Sequence, residues 1–342
     1  MHYQYYTGKA GSLRHFTLAE GQIPPPGPQE VQVAVEAVGL NFADVFAIWG
    51  LYGATPEGAF TPGLEYAGTI TAVGAQAGRH RVGDRVMGVT RFGGYTSAIN
   101  SDARYVIPLP QNWSCAQGAA YLVQVLTAYY GLVYLGNLQT RSTVLIHSGA
   151  GGVGLLARQI AARCDAFTIG TTGSPQKVDF LRQQGYHQVI VRRERQFGTQ
   201  LDQALGERPL DLVMECIGGR VLRAAYERLA PQGRMVVYGS ARYASVGNRP
   251  NYFRLLYYYL TRPRIDPQKL IEENKGLLGF NLIWLYHQAD LMHQLLVEID
   301  ALNLDPPYVG HVLPFTQMAE AIRLFQSGKT RGKVVLDVGS SA

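Results

Sequence analysis

The hydrophobic pattern in the first third of the chain is typical of short strands. Up to about residue 120, apolar and polar residues alternate in part over short runs, and each run stands close to a glycine. We predict strands at residues 31–39, 68–73, 85–89 and 106–110. This region is therefore expected to be rich in β structure with irregular connections.

From residue 114 onward, short apolar runs alternate with segments of helical spacing. Ser114 is a candidate helix start, and residues 119–135 supply apolar positions for that helix. Further strands are predicted at residues 142–147, 167–171, 188–191, 210–216 and 234–239, with helices between them at residues 155–163, 177–184 and 221–229. Such alternation indicates a parallel sheet covered on both faces by helices.

The end of the chain combines an aromatic, basic stretch with further regular elements. Residues 276–285 are predicted to form a strand, residues 318–326 an amphipathic helix, and residues 333–338 a last strand. The aromatic stretch at 252–264 could face a membrane, line an apolar cleft or form a subunit contact. We rank the cleft or the contact first, since exposed apolar patches generally mark an interaction site.

A glycine-rich loop follows the predicted strand at 142–147. Gly149, Gly151 and Gly154 satisfy the pattern G-x-G-x-x-G, with Ala150, Gly152 and Val153 between them. The pattern alone is weak, but here it joins an apolar strand to a predicted helix. The free N–H groups at such a helix start are suited to the pyrophosphate of a dinucleotide.

The residues after the next strand bear on the choice of dinucleotide. NAD-selective sites usually place an acidic residue about 20 positions beyond the loop, whereas residues 168–177 contain none. Thr172, Ser174 and Lys177 instead offer hydroxyls and a cation to a 2′-phosphate, and Arg192 could add a second charge. We therefore favour NADPH, although Lys177 could also be an ordinary exposed helix lysine.

Composition and charge narrow the possible classes of function. The chain has 342 residues, a formal net charge of +6 and 47% hydrophobic residues, which fits a globular protein of two domains. Its basic residues are scattered, so a nucleic-acid role is disfavoured. Three well-separated cysteines, Cys115, Cys164 and Cys216, and the absence of an apolar leader favour a cytoplasmic location.

Several motifs in order resemble the medium-chain dehydrogenase/reductase superfamily. They are residues 39–44 (GLNFAD), 62–68 (PGLEYAG), 82–86 (VGDRV), 126–129 (LTAY) and the glycine loop. The resemblance implies an α/β protein with a GroES-like β-barrel domain, residues 1–122 and 288–342, and a Rossmann domain with a doubly wound parallel sheet, residues 123–287. It also implies a homodimer.

The chain resembles the zinc-free quinone oxidoreductase branch of that superfamily, and within it the vesicle amine transport protein-like group. Zinc members carry a cysteine near the position of Asn41 and a histidine before the glutamate, whereas this chain has Leu64 before Glu65. No cysteines stand between residues 86 and 114 to build a structural zinc lobe. We therefore predict no metal site and interpret Glu65 as a structural carboxylate at the domain junction.

The resemblance implies hydride transfer from a nicotinamide to a quinone or an α,β-unsaturated carbonyl. Asn41 and Tyr52 are the candidate catalytic donors to the substrate oxygen. Thr127 is a candidate contact of the nicotinamide or the ribose, and Phe280 and Asn281 are candidates to meet the nicotinamide carboxamide. Gly239 and Ser240 end a predicted strand where the cofactor would cross the sheet edge. Each donor also has a plain interpretation: Asn41 could cap a helix, Tyr52 could pack, and Thr127 could satisfy a backbone group.

Two functions remain open at this point. The first is a zinc-independent, NADPH-dependent reductase of a small quinone or enone. The alternative is an NADPH-binding, lipid- or membrane-associated protein with little catalytic activity, which the aromatic stretch at 252–264 suggests.

Overall fold

The computed structural model describes residues 2–339, and the strands in that range form three sheets. The strands are β1 His2–Tyr6, β2 Thr17–Gly21, β3 Glu30–Gly39, β4 Glu65–Val73, β5 Arg85–Val89, β6 Ala98–Asp102, β7 Val106–Pro108, β8 Thr143–Ile146, β9 Phe167–Thr172, β10 Gln188–Val191, β11 Leu210–Glu215, β12 Leu229–Val237, β13 Gly276–Gly279, β14 Val309–Pro314 and β15 Lys333–Asp337.

The α-helices in the same range lie mostly between the strands of the second half. They are α1 Phe42–Ile48, α2 Cys115–Gly118, α3 Leu122–Tyr129, α4 Gly152–Ala162, α5 Val178–Gln183, α6 Phe197–Leu205, α7 Gly219–Glu227, α8 Tyr252–Leu260, α9 Pro267–Glu273, α10 Ala289–Asp300 and α11 Met318–Gln326.

The first large sheet has the order β14-β15-β3-β4-β5-β7, and β6 also pairs with β3. Along β3, Val31, Val33 and Val35 are buried at alternate positions, as expected of a strand with one face in a core. The C-terminal strand β15 pairs antiparallel with the end of β3, so the chain returns to its first domain. This is the GroES-like arrangement that the resemblance implies, and it is confirmed.

The second large sheet is parallel throughout and has the order β10-β9-β8-β11-β12-β13. All four residues of β8 are buried, because one face of the sheet packs on a core that includes α4 and the other on a core that includes α6 and α7. The predicted doubly wound sheet is therefore confirmed. Strand order reverses between β8 and β11, and such switch points form ligand crevices at the carboxyl ends of the strands.

One local prediction was wrong. The predicted strand at 276–285 ends at Gly279, because its partner β12 ends at Val237, and residues 282–285 form a 3₁₀ turn instead. The aromatic stretch contains helix α8. The apolar run at 119–135 belongs to a 21-residue helical segment, Cys115–Leu135, which meets the length and composition of a membrane span although 72% of it is buried inside the protein. We interpret this segment as a core helix.

The domain limits at 122/123 and 287/288 stay a prediction. The sheets agree with them in outline only, since β14 and β15 lie in the first sheet and β8 to β13 in the second.

Candidate functional site

A cleft of about 1290 Å³ is lined by residues from both large sheets. It brings together nearly all the residues that the sequence predicted for a site. Those lining it are Asn41, Tyr52, Thr127, Ala150, Gly151, Gly152, Val153, Gly154, Thr172, Ser174, Lys177, Arg192, Gly239, Ser240, Phe280 and Asn281. Gly149 is the exception, because it lies behind the loop, where the hydroxyl of Tyr186 donates to Gly149 O and Gly154 O at 3.4 and 2.8 Å.

The glycine loop forms a cradle between β8 and α4. A side chain at Gly154 would place its Cβ 2.7 Å from Gly149 Cα, so the loop closes directly on the helix only because residue 154 is glycine. Gly151 is the N-cap of α4, and the N–H groups of the first turn have no partner within the helix. These groups face the cleft and suit an anionic group such as a pyrophosphate.

The cleft beyond β9 carries positive charge without a paired carboxylate. Lys177 Nζ donates to the carbonyls of Gly328 and Thr330, each at 2.6 Å, so Lys177 is not the ordinary exposed helix lysine considered above. Burial, together with Arg331 and Arg192, lowers the pKa of Lys177. Across residues 2–339, no acidic side chain forms a salt bridge with Lys177, Arg192 or Arg331. An anion bound here would relieve their mutual repulsion.

The opposite part of the cleft holds the candidate nicotinamide contacts. The Tyr52 hydroxyl donates to Asn281 Oδ1 at 2.7 Å, which links the first domain to the segment just after β13. Burial raises the pKa of Tyr52 to about 12, so the phenol is protonated near neutral pH. Thr127 lines the cleft, but its hydroxyl donates to the Val123 carbonyl at 2.6 Å, which is the plain alternative for that residue.

Asn41 belongs to a buried polar network in which its side chain is fully used. Its amide nitrogen donates to Glu65 Oε1 at 3.0 Å and to Gly39 O at 3.3 Å. Its amide oxygen accepts from Gln124 Nε2 at 2.7 Å and from Lys333 Nζ at 2.9 Å. Both amide protons are therefore committed within the chain, which argues against the predicted donation to a substrate oxygen. The catalytic role of Asn41 stays a prediction, and the geometry favours a structural one.

Asp44 forms a second layer beneath this network. Its Oδ2 accepts from the Asn41 backbone N–H at 2.8 Å and from the Tyr95 hydroxyl at 3.0 Å, so Asp44 holds the start of α1. Burial raises the pKa of Asp44 to about 7, against the lowering effect of these hydrogen bonds and of Lys333. The alternative that Asn41 caps a helix agrees with its position, because Asn41 is the N-cap residue of α1.

Two family models match the chain. The alcohol dehydrogenase GroES-like domain matches residues 27–111, and the zinc-binding dehydrogenase model matches residues 152–265. The synaptic vesicle membrane protein VAT-1 homologue of Mus musculus is 31% identical over 337 residues, which cover 97% of this chain and 82% of the relative. The chain belongs to the medium-chain dehydrogenase/reductase family. The resemblance seen in the sequence motifs is thereby confirmed.

Solved structures of medium-chain dehydrogenase/reductase type agree with the fold over the whole chain. A mycobacterial protein in complex with NADPH superposes with a TM-score of 0.85 at 26% identity, over 99% of this chain and 100% of that one. The CurK enoyl reductase superposes with a TM-score of 0.84 at 30% identity, over 98% of this chain and 99% of that one.

Because one matching family model is named for zinc, we tested whether the residues here fit that metal. At the positions considered for a catalytic zinc, Asn41 is an amide and Leu64 packs with Ala54 and Ile283. The remaining carboxylate, Glu65, is 2.5 Å from Lys333 Nζ, so an ammonium already neutralises it. Residues 2–339 contain no group of three His, Cys, Asp or Glu side chains arranged to hold a metal ion. The position formed by Asn41, Leu64 and Glu65 therefore does not fit zinc.

Sequence reasoning missed the polar partners of Glu65. Lys333 and Gln124 complete the network, and both are buried. One signal was present in each case: Lys333 opens an otherwise apolar strand, and Gln124 interrupts the most apolar run of the chain. A polar residue in such a position is expected to have a buried partner, although the pattern does not name it.

Proposed function

We propose that the chain is an NADPH-dependent reductase that delivers hydride to a quinone or to an α,β-unsaturated carbonyl. One observation carries the proposal: a single cleft joins a glycine cradle and unpaired cations to an apolar chamber with an oriented phenol. The apolar walls include Phe42, Phe46, Leu51, Leu64 and Ile283. Clefts with apolar walls and a few oriented polar groups are typical of small-molecule sites.

The adenosine half of NADPH would be held by this chain's own residues. The cradle at residues 150–154 suits the pyrophosphate, and Lys177 and Arg192 suit the 2′-phosphate. A mycobacterial structural neighbour was solved with NADPH, which supports the same cofactor here. When bound, NADPH supplies the hydride; the protein's part is to orient the reactants and to keep water out.

The substrate half of the proposal rests on Tyr52. Reduction of an enone or a quinone places negative charge on the substrate oxygen, and a hydrogen-bond donor aimed at that oxygen lowers the barrier. Tyr52 lies on the cleft wall and keeps its proton near neutral pH. A phenol has a single proton, which here is donated to Asn281 Oδ1, so Tyr52 would act by turning that proton from Asn281 to the substrate oxygen. The CurK neighbour is named an enoyl reductase, which supports an activated carbon–carbon double bond as one substrate class.

The test is consumption of NADPH and NADH by the purified protein with a panel of ortho-quinones and enones. We expect oxidation of NADPH with at least one acceptor and much weaker use of NADH. Gly151→Asp, which puts a carboxylate into the cradle, should abolish the oxidation of NADPH. Tight NADPH binding without turnover on any acceptor would overturn the reductase and leave a binding protein.

A second candidate function has its own observation. None of the residues of α8 is buried; Phe253 is 89% exposed, and Tyr257 and Leu256 are also exposed. Arg254 and Arg262 accompany them, a composition suited to a lipid surface with anionic headgroups. Under this alternative the protein binds lipid and holds NADPH with little catalysis.

Co-sedimentation with phosphatidylserine vesicles tests this alternative. Binding that is lost in a Phe253→Ser, Tyr257→Ser variant, with NADPH binding retained, would favour it. A Val82→Ser variant, changed at an exposed apolar residue far from α8 in the chain, is the matched control. The homodimer and the cytoplasmic location remain predictions, for which size-exclusion chromatography with light scattering and cell fractionation are the tests.

A further inference from the structure

We infer that three buried side chains, Glu215, His147 and Thr171, position Arg192 for the 2′-phosphate and so set the preference for NADPH over NADH. The inference rests on the proposed function, because it concerns the proposed cofactor. Glu215, His147 and Thr171 are buried positioning residues; Thr171 and Arg192 line the cleft, and Arg192 is the one that would contact the phosphate.

The four side chains form one row across the carboxyl edge of the parallel sheet. Glu215 ends β11, His147 follows β8, Thr171 lies near the end of β9, and Arg192 follows β10. These strands are neighbours in the order β10-β9-β8-β11. Residues at the same end of adjacent parallel strands meet, so the row runs perpendicular to the strands.

The distances connect the row from end to end. Arg192 Nη1 donates to Thr171 Oγ1 at 2.8 Å, and Thr171 Oγ1 lies 2.9 Å from His147 Nδ1. His147 Nε2 lies 3.1 Å from Glu215 Oε2. The other oxygen of Glu215 accepts from the backbone N–H groups of Ile217 and Gly218, the latter at 2.6 Å. The row is therefore anchored to the backbone that precedes α7.

One assignment of protons fits the contacts of the row, in which the His147 Nε2–Glu215 Oε2 contact is electrostatic and lies outside hydrogen-bond geometry. Burial would raise the pKa of Glu215, but His147 and the two backbone N–H groups hold it below its usual value, so Glu215 is a carboxylate. It can only accept, and so His147 carries its proton on Nε2. Thr171 then donates to His147 Nδ1 and accepts from Arg192. The Arg192–Thr171 and Thr171–His147 hydrogen bonds then run in the same direction, so each strengthens the other.

The consequence for Arg192 is a fixed guanidinium with free donors. Among the described residues, its side chain has a hydrogen bond only to Thr171 and no carboxylate within salt-bridge distance. Its Nη2 lies 3.5 Å from the place a Cβ would occupy on Gly173, at the end of β9. That strand end is where the adenosine ribose is recognised in such sheets. Arg192 is thus pre-oriented toward the 2′ position.

The test compares Thr171→Val, which removes the hydroxyl at nearly constant shape, with Thr171→Ser, which keeps it. The probes are adenosine 2′,5′-bisphosphate and 5′-AMP, titrated calorimetrically into the whole protein, since they differ only in the 2′-phosphate. We expect Thr171→Val to weaken the bisphosphate about fivefold, the effect of one lost hydrogen bond, and to leave 5′-AMP unchanged. Thr171→Ser should bind both probes like the wild type.

A double-mutant cycle separates positioning from general damage to the fold. On an Arg192→Ala background, Thr171→Val should have no further effect on the bisphosphate, because the side chain it positions is gone. Equal weakening of both probes, or the same loss with and without Arg192, would overturn the inference. If Thr171→Val does not fold, Glu215→Gln serves as the second variant, with an expected loss of about twofold for the bisphosphate alone.

The outcomes also distinguish this inference from the proposed function. A wild-type protein that binds neither the bisphosphate nor NADPH contradicts the cofactor assignment itself. A wild type that binds the bisphosphate more tightly than 5′-AMP, with Thr171→Val unchanged, retains the cofactor and contradicts only the role of the row.

Discussion

The two ends of the cleft differ in whether their cationic side chains have an acidic partner. At the adenosine end, Lys177 and Arg192 have no acidic partner among residues 2–339. At the substrate end, Lys333 is paired with Glu65, and Asn41 and Gln124 use the remaining hydrogen bonds. Half-buried cations without an acidic partner, as Lys177 and Arg192 are, repel one another, whereas a paired and hydrogen-bonded set holds its members in one arrangement. The first end is therefore suited to a ligand and the second to holding the fold.

The largest expected effect comes from breaking the paired end. Lys333→Met leaves the Glu65 carboxylate buried without a cation and should lower the free energy of unfolding by about 3–5 kcal/mol. Urea denaturation followed by circular dichroism measures it. Lys177→Met is the matched control at the unpaired end: it loses two hydrogen bonds to carbonyls but relieves the repulsion from Arg192 and Arg331, so stability should change by only about 1 kcal/mol. Equal losses in the two variants would remove the distinction between the ends.

The next effect tests Tyr52, the proposed donor at the substrate end. Tyr52→Phe keeps the packing and removes the hydroxyl, so kcat for an enone or a quinone should fall about a hundredfold. The affinity for NADPH should change little, since Tyr52 is not among the residues that hold the adenosine half. Stopped-flow and steady-state kinetics separate the two quantities. A Tyr52→Phe enzyme with unchanged kcat would assign Tyr52 to packing.

Removal of one cation at the unpaired end should produce a smaller and selective effect. Arg192→Ala should weaken NADPH about tenfold, the usual cost of a charge-assisted hydrogen bond, and leave NADH within twofold. Fluorescence titration of the reduced nicotinamide measures both. The complementary change, Arg208→Ala, alters an exposed arginine that stacks on Phe167 away from the cleft and should affect neither cofactor.

An effect of a different kind is a pH dependence of stability from Asp44. Because its folded pKa of about 7 exceeds the unfolded value, the folded state binds the proton more tightly. The contribution of Asp44 to stability is therefore present at low pH and is lost as the pH rises toward and through 7. Asp44→Asn should flatten the decline in Tm between pH 5 and pH 8, measured by differential scanning fluorimetry. Parallel curves for the two proteins would contradict the assignment.

The local parts of the account could be predicted from the sequence. The strand, glycine loop and helix around Gly151 are consecutive in the chain, so their pattern predicts the cradle directly. The absence of an acidic residue from positions 168–177 can also be read from the sequence alone, and it favoured a 2′-phosphate. The helix α8 was not predicted, because the aromatic residues that fill it are more typical of strands.

The nonlocal parts could not be predicted. Lys333 meets Asn41 across 292 positions of sequence, and only the return of β15 to the first sheet brings them together. The row from Glu215 to Arg192 likewise requires the order of four parallel strands, which periodicity does not supply. Asn41 is an example of this limit. The sequence made its amide a candidate donor to a substrate, whereas in the fold that amide nitrogen already donates to Gly39 O and Glu65 Oε1.

The most direct test of the central claim is the affinity of the wild-type protein for NADPH and for NADH, measured side by side at two salt concentrations. The account predicts that NADPH binds at least about tenfold more tightly and that added salt narrows the gap, because unpaired cations recognise the extra phosphate. Equal affinities at both salt concentrations would contradict it.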